Sequence, residues 1–103
     1  MKKIIDYKLY DTDTAETIVT WRNGYPKEDI RHCLQKLYRT NEGRWFLYGE
    51  GGYLSIYGTI HESIPCGGRD VFAFTDGEAF VWLTKRNFVD EVQQYFPDRI
   101  RVA

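Results

Sequence analysis

Four residues have the side chains that bind transition metals, namely His32, Cys33, His61 and Cys66. A tetrahedral zinc site would need all four to converge. His32 and Cys33 are adjacent in the chain, and neighbouring side chains on a strand point to opposite faces. No pair has the close Cys spacing of a structural zinc site. The sequence therefore predicts no metal centre and two free thiols.

Carboxylates offer a second route to chemistry, and the set that could hold catalytic metal ions is Asp11, Asp13, Glu16 and Glu50. Asp11 and Asp13 alternate with threonines, a pattern typical of a turn stabilised by side-chain oxygens. The glycine-rich run at 49–52 lacks the Lys and Ser/Thr of a phosphate-binding loop. We therefore expect no catalytic residues and no cofactor, and a small metal-dependent nuclease or hydrolase remains an alternative.

A third set could bind nucleic acid, because guanidinium groups contact phosphates and aromatic rings stack on bases. Its members lie on or beside one predicted hairpin: Arg39, Arg44, Trp45, Tyr48 and Tyr53. Strand alternation places only some of them on one face. The formal net charge is −1, so the chain has no overall positive field that would attract nucleic acid non-specifically. A module that binds RNA or a single strand remains the other alternative.

Composition favours binding over catalysis. The 103 residues suit one domain, residues 1–103, and 43% of them are hydrophobic, which is enough for a core. Aromatic residues reach 17%, more than a core of this size encloses, so some are expected at the surface. Tyr and Trp are enriched where proteins meet their partners. The composition therefore predicts an interaction protein, with a weak homo-oligomer as one form of association.

The first residues of the chain indicate where in the cell the protein is expected. Two lysines at positions 2 and 3 are followed by no apolar stretch long enough for a signal peptide or a membrane span. The sequence thus predicts a cytoplasmic protein that does not contact a membrane.

Strands dominate the first two thirds of the chain. Residues 3–6 and 8–10 predict an opening hairpin, and residues 16–22 predict a strand that stops at Asn23-Gly24. Residues 26–37 are compatible with a helix or a strand, and we favour a strand from about Cys33. A strand over 44–50 follows, in which Trp45 and Leu47 face one side and Phe46 and Tyr48 the other. Residues 53–69 predict the longest loop, before a short strand at 70–74.

Helices are predicted for the last third. Thr75 and Glu78 have the spacing of a capping box that opens a helix to about residue 85. Asn87 is expected to cap a second helix, whose apolar face includes Phe88 and Phe96 and which Pro97 ends. The sequence therefore predicts an α+β fold: an antiparallel sheet of about four to five strands, followed by two C-terminal helices packed on it.

Several segments together resemble a family of small proteins of bacteria and their mobile elements. These segments are KLYDT at 8–12, WRNGY at 21–25, LYRT at 37–40, GRWFLYGEGG at 43–52, FTDGEAF at 74–80 and YFPD at 95–98. Some members of that family are similar to inhibitors of type II-A CRISPR nucleases. The resemblance implies a phage or mobile-element protein that binds Cas9, with or without guide RNA, and blocks its nucleic-acid channel.

The expected contact residues follow from position, because loops on a rigid scaffold are where binding residues concentrate. Near the end of the predicted hairpin and in the long loop we select Tyr48, Glu50, Tyr53 and Tyr57. Arg39 and Arg44 join them if the partner includes RNA.

Overall fold

The chain forms eight strands and two helices, and the computed structural model describes residues 1–103. The strands are β1 (Lys2–Ile5), β2 (Lys8–Asp11), β3 (Glu16–Arg22), β4 (Cys33–Arg39), β5 (Trp45–Gly51), β6 (Thr59–His61), β7 (Ile64–Cys66) and β8 (Gly68–Phe74). The helices are α1 (Asp76–Lys85) and α2 (Val89–Tyr95), and a 3₁₀ turn follows at Pro97–Arg99. The predicted α+β fold is confirmed.

Four strands build the central sheet in the order β3-β4-β5-β8, and every neighbouring pair is antiparallel. The prediction of a strand from Cys33 is confirmed, and the preceding residues are turns and not a helix. Asn23 closes the β3–β4 connection, because its Oδ1 accepts a hydrogen bond from the Cys33 N–H and its Nδ2 donates to the Arg31 carbonyl. Gly24 has φ of +91°, which a glycine adopts without strain.

The two faces of β5 support two separate cores. Trp45 and Leu47 pack with residues of α1 and α2 on one face of the sheet. Phe46 packs with Tyr10 and Tyr38 on the opposite face, under the hairpin of β1 and β2. The predicted alternation along this strand is therefore confirmed, and it produces three layers: hairpin, sheet and helices.

The opening hairpin forms as predicted. Asp6 and Tyr7 make its two-residue turn with φ of 49° and 64°, the positive values that a type I′ hairpin turn requires. Lys3 of β1 donates a 2.7 Å hydrogen bond to Asp70 of β8, so an ion pair joins the hairpin to the edge of the sheet.

The helices begin differently from each other. In α1 the predicted capping box is present, since Thr75 Oγ1 accepts from the Glu78 N–H and the Glu78 carboxylate accepts from the Thr75 N–H. The predicted Asn87 cap of α2 is wrong: Phe88 is the N-cap residue and no side chain caps the helix. Asn87 has φ of 60° just after α1, a conformation that asparagine tolerates better than most residues.

The predicted long loop at 53–69 is also wrong, because it contains the hairpin of β6 and β7, and β8 begins at Gly68. The turn of this hairpin uses Glu62 and Ser63 at φ of 50° and 66°, without the glycine that usually marks such turns. Pro65 obscures the strand pattern further. A proline is tolerated here because a two-stranded ribbon has free edges that need no ladder hydrogen bond.

Candidate functional site

The six residues predicted to contact a partner do not form one surface. Tyr48 and Glu50 share one face of β5, and Tyr57 lies against the opposite face, over Gly49. Arg44 precedes β5 and Tyr53 follows it, so they lie at opposite ends of this strand. The remaining residue, Arg39, is at the end of β4.

Tyr48 and Glu50 lie beside Arg69 of β8, which is the cross-strand partner of Glu50. Burial raises the pKa of the Tyr48 hydroxyl, and the nearby Glu50 carboxylate raises it further, whereas the nearby Arg69 guanidinium acts in the opposite direction. The phenol is therefore held neutral and can donate or accept hydrogen bonds. Tyr48 and Glu50 are half-buried and Arg69 is exposed, so a partner can contact all three side chains.

Arg39 packs against core residues on the face of the sheet that the helices cover. Its guanidinium lies 5.2 Å from the ring centroids of both Trp45 and Tyr95. It lines a cavity of about 190 Å³ together with the carboxylates of Asp76 and Asp98. Arg44, in contrast, is exposed and lines a shallow cleft of about 390 Å³ near the β1–β2 turn.

Tyr57 is the predicted contact residue that packing encloses most, with only 9% of its surface exposed. Its hydroxyl accepts a 2.7 Å hydrogen bond from Gln35 Nε2. Burial raises the pKa of this phenol, and the Gln35 hydrogen bond partly offsets the effect. Tyr57 therefore orders the chain before β6, while Tyr53, in the same turn, is 42% exposed.

Gln35 is the centre of a buried polar cluster. Its Oε1 accepts hydrogen bonds from Trp82 Nε1 at 3.2 Å and from Arg86 Nη2 at 2.8 Å, while its Nε2 donates to Tyr57. The Arg86 guanidinium also lies 4.5 Å from the Trp82 ring centroid and 4.9 Å from that of Trp21. Because burial disfavours its charged form, the pKa of Arg86 is lowered.

Beside this cluster is an open cleft of about 400 Å³. We call it the Arg86 cleft, and it is lined by Trp21, Asn23, Tyr25, Arg31, Cys33, Gln35, Leu54, Ser55, Ile56 and Arg86. Burial raises the pKa of the Cys33 thiol, while the positive charge of Arg86 acts in the opposite direction. The cleft thus combines aromatic and aliphatic walls with guanidinium groups, and no carboxylate lines it.

The β6–β7 hairpin projects from the body of the protein. We call residues 58–66 the arm, and every residue from 58 to 65 is exposed. Ile60 pairs with Pro65 and Ile64 pairs with His61, so the two isoleucines lie on opposite faces of the ribbon, 76% and 63% exposed. The radius of gyration is 15.1 Å, above the roughly 13 Å typical of a chain this long.

More exposed aliphatic side chains lie at the root of the arm. Leu54 is 61% exposed and Ile56 is 81% exposed, in the turn that connects β5 to β6. Together with Ile60 and Ile64 they form four large aliphatic side chains within eleven residues of chain, counted from position 54 to position 64. Single exposed apolar residues are normal on proteins, whereas four in one short segment make the arm and its root the most apolar part of the exposed chain between β5 and β8.

Metal-binding and acidic residues are dispersed. No three His, Cys, Asp or Glu side chains lie close enough to hold a metal ion, and both cysteines are free. Asp11, the last residue of β2, stabilises the turn that follows, since its carboxylate accepts a hydrogen bond from the Asp13 N–H. Neither helix has the length and hydropathy of a membrane-spanning segment.

The sequence interpretation missed the two most distinctive features of the surface, the Arg86 cleft and the arm. A weak signal for the first was Gln35, a polar residue that alternates with Cys33 and Leu37 on the face of β4 that packs on the helices. A signal for the second was the pair Ile60 and Ile64 amid polar residues. Comparison of the chain with protein-family models, curated proteins and solved structures found no match.

Proposed function

We propose that this chain is a non-enzymatic interaction protein that binds a protein partner through the arm and its root. The observation that carries the proposal is the exposure of Ile60 and Ile64 on the two faces of a ribbon whose residues 58–65 are all exposed. A two-stranded hairpin is only marginally stable in water, and burying aliphatic side chains is worth about 1.5–3 kcal/mol each. A partner groove that covers both faces of the arm would supply this energy.

The other exposed apolar pair supports the proposal by contrast. Ile4 and Leu9 are cross-strand neighbours in the β1–β2 hairpin, 72% and 58% exposed. That hairpin already packs its other face on the sheet through Tyr10 and Ile5. Its exposed pair is the ordinary outer face of a covered element, whereas neither face of the arm is covered.

For the partner we propose a Cas9-type nuclease, bare or assembled with its guide RNA. This choice rests on the resemblance to phage and mobile-element proteins, and it places the chain in the bacterial cytoplasm. The mechanism would be occlusion, in which the arm holds the chain on the nuclease and the sheet covers part of its nucleic-acid channel. Tyr48, Glu50 and Tyr53 are the polar contacts that would accompany the arm.

The test is capture of purified Cas9 by the tagged chain, performed once with the bare nuclease and once with the guide-loaded nuclease. Ile60→Ser combined with Ile64→Ser should abolish capture and leave the circular dichroism spectrum unchanged, because both side chains are exposed. The matched control, Ile4→Ser with Leu9→Ser, should capture as well as the parent chain. Equal loss in both variants, or full retention in the arm variant, would exclude the arm as the binding element.

Binding of the chain to guide RNA alone is the second test. A gel shift that weakens steeply as salt rises would favour the RNA-binding alternative, because phosphate contacts release counterions. Sedimentation of the isolated chain separates self-association from partner binding. A dimer that the arm variant dissociates would show that the arm binds a second copy of the chain.

A further inference from the structure

Arg86 is a partly buried cation without a counter-ion. The protein contains two ion pairs, Lys3 with Asp70 and Arg31 with Asp29, and neither involves Arg86. Its only hydrogen bond is to the neutral amide of Gln35, and its Nε is buried with no partner at all. Removing a charge from water without an opposite charge is costly. The molecule therefore holds an uncompensated positive charge at a fixed position.

Packing holds this charge in place. The guanidinium lies between the indole rings of Trp21 and Trp82, and the Gln35 hydrogen bond fixes its rotation. Attraction between a cation and the face of an aromatic ring stabilises a guanidinium, but it leaves the N–H groups free to donate. A guanidinium with fixed orientation is the group that proteins use to bind planar anions.

The surroundings distinguish Arg86 from Arg39, which also lies over two aromatic rings and also has a buried Nε without a partner. Arg39 shares its cavity with Asp76 and Asp98, so carboxylates already lie nearby. The Arg86 cleft has about twice that volume and contains no acidic side chain. Glu78 lines a second cavity beside Arg86, but its carboxylate accepts the Thr75 N–H of the capping box and forms no ion pair with Arg86. An anion for Arg86 must therefore come from outside the chain.

The number of free charges selects the kind of anion. Arg31 also lines the cleft, but its Nε and Nη2 donate to the two carboxylate oxygens of Asp29 at 2.9 and 2.8 Å. One net positive charge therefore remains in the cleft, which matches a singly charged carboxylate. A polynucleotide backbone needs several cations in a row. The walls formed by Trp21, Leu54 and Ile56 suit an apolar group attached to the carboxylate.

We propose that the Arg86 cleft is a binding site for a carboxylate attached to an apolar group, with Arg86 as the anion-binding residue and Gln35 as the residue that positions it. The inference does not depend on the function proposed for the arm, because small carboxylates test it on the isolated chain.

The measurement is a titration followed by ¹H–¹⁵N NMR of the indole N–H groups of Trp21 and Trp82 and of the Arg86 Nε–H. The probes are 3-phenylpropanoate, its neutral analogue 3-phenylpropanamide, and the capped tripeptide acetyl-Leu-Glu-Leu-amide. The two carboxylates should cause saturable shifts of these signals, and the neutral amide should not. The relative affinity of the free acid and the peptide separates a small-molecule ligand from an acidic side chain of a protein.

Two variants locate the site. Arg86→Gln removes the charge, and Gln35→Glu keeps the shape of the side chain but supplies an internal carboxylate that neutralises Arg86. Each variant should lower the affinity for 3-phenylpropanoate at least about tenfold, the order expected for loss of a charge-assisted hydrogen bond. Arg44→Gln is the matched control and should change the affinity less than about threefold, since that exposed guanidinium lines a different cleft.

Three outcomes would overturn the proposal. The first is the absence of saturable shifts with either carboxylate on the parent chain. The second is equal binding of 3-phenylpropanamide, which would make the cleft a purely apolar pocket. The third is displacement of 3-phenylpropanoate by equimolar inorganic phosphate, which would assign the site to phosphorylated ligands. All three are read on the parent chain, so they stand even if a variant fails to fold.

Discussion

The side-chain nitrogen of Gln35 lies 2.7 Å from the phenolic oxygen of Tyr57 and donates a hydrogen bond to it. Both side chains are buried, and they join the middle of β4 to the turn that leads into the arm. The same amide accepts hydrogen bonds from Trp82 and Arg86. One glutamine therefore connects the sheet, the first helix and the root of the arm.

Substitution of Gln35 should be far more damaging than substitution of its partner. Gln35→Leu leaves the Trp82 N–H, the Tyr57 hydroxyl and Arg86 without this partner, so we expect a loss of about 2–4 kcal/mol in the free energy of unfolding. Tyr57→Phe removes one hydrogen bond and should cost about 1 kcal/mol. Urea unfolding of both single variants and the double variant measures their coupling. If the loss of stability in the double variant equals the sum of the two single losses, Gln35 and Tyr57 are not energetically coupled and the proposed cluster is contradicted.

Gly49 should tolerate no side chain. A Cβ at this position would lie 1.9 Å from the ring of Tyr57, which is buried and hydrogen-bonded to Gln35. Gly49→Ala should therefore destabilise the protein by about 1–3 kcal/mol through overpacking. Gly77→Ala in α1 is the matched control, since its nearest neighbours are 3.8 Å away and alanine favours a helix by about 0.5–1 kcal/mol. Thermal unfolding should move in opposite directions for the two variants.

The capping box of α1 should contribute measurably to stability. Thr75→Ala removes the oxygen that accepts the Glu78 N–H hydrogen bond, at an expected cost of about 1 kcal/mol. Thr84→Ala, at an exposed position within the same helix, removes only a hydroxyl that donates to the Phe80 carbonyl and should leave the unfolding free energy unchanged or raise it by about 0.5 kcal/mol, because alanine is the better helix former. Equal effects of the two substitutions in urea unfolding would argue against a role for the cap.

The ion pair of the opening hairpin predicts a pH dependence. The hydrogen bond from Lys3 lowers the pKa of Asp70 below its usual 3.8. A lowered folded-state pKa stabilises the protein above the unfolded-state value, and this contribution disappears as the pH falls through the folded-state pKa. Both side chains are 40% exposed, so the effect should stay below about 1 kcal/mol.

Urea unfolding at pH 7 and at pH 3 checks this expectation. The parent chain should lose more stability over that interval than Asp70→Asn, which lacks the titrating group. Asp13→Asn, in an exposed turn without an ion pair, should lose as much stability between pH 7 and pH 3 as the parent chain does. An unchanged pH dependence in Asp70→Asn would rule out a contribution from the pair.

The two thiols should differ in reactivity. Cys33 is 6% exposed and burial raises its pKa, so little thiolate is available at neutral pH. Cys66 is less enclosed, at the end of β7. Iodoacetamide should therefore modify Cys66 first in the native protein and both residues at similar rates in urea, as read by peptide mass spectrometry. Faster native modification of Cys33 would mean that the Arg86 cleft opens.

Local signals were sufficient for most of the secondary structure. The Thr75–Glu78 capping box, the stop at Asn23-Gly24 and the alternation around Trp45 depend on residues within a few positions of each other. These features were predicted correctly for that reason. The β6–β7 hairpin was missed because its turn residues, Glu62 and Ser63, carry no glycine signal and Pro65 argues against a strand.

The sites required the tertiary structure. Gln35 meets Tyr57, Trp82 and Arg86 across separations of 22, 47 and 51 residues. No periodicity extends over such distances, so only strand order and helix packing bring these side chains together. Likewise, the sequence alone indicated that aromatic residues exceed what a core of this size encloses. Whether each one is buried, as Tyr57 is, or projects into water, as Tyr7 does, was decided by how the layers pack.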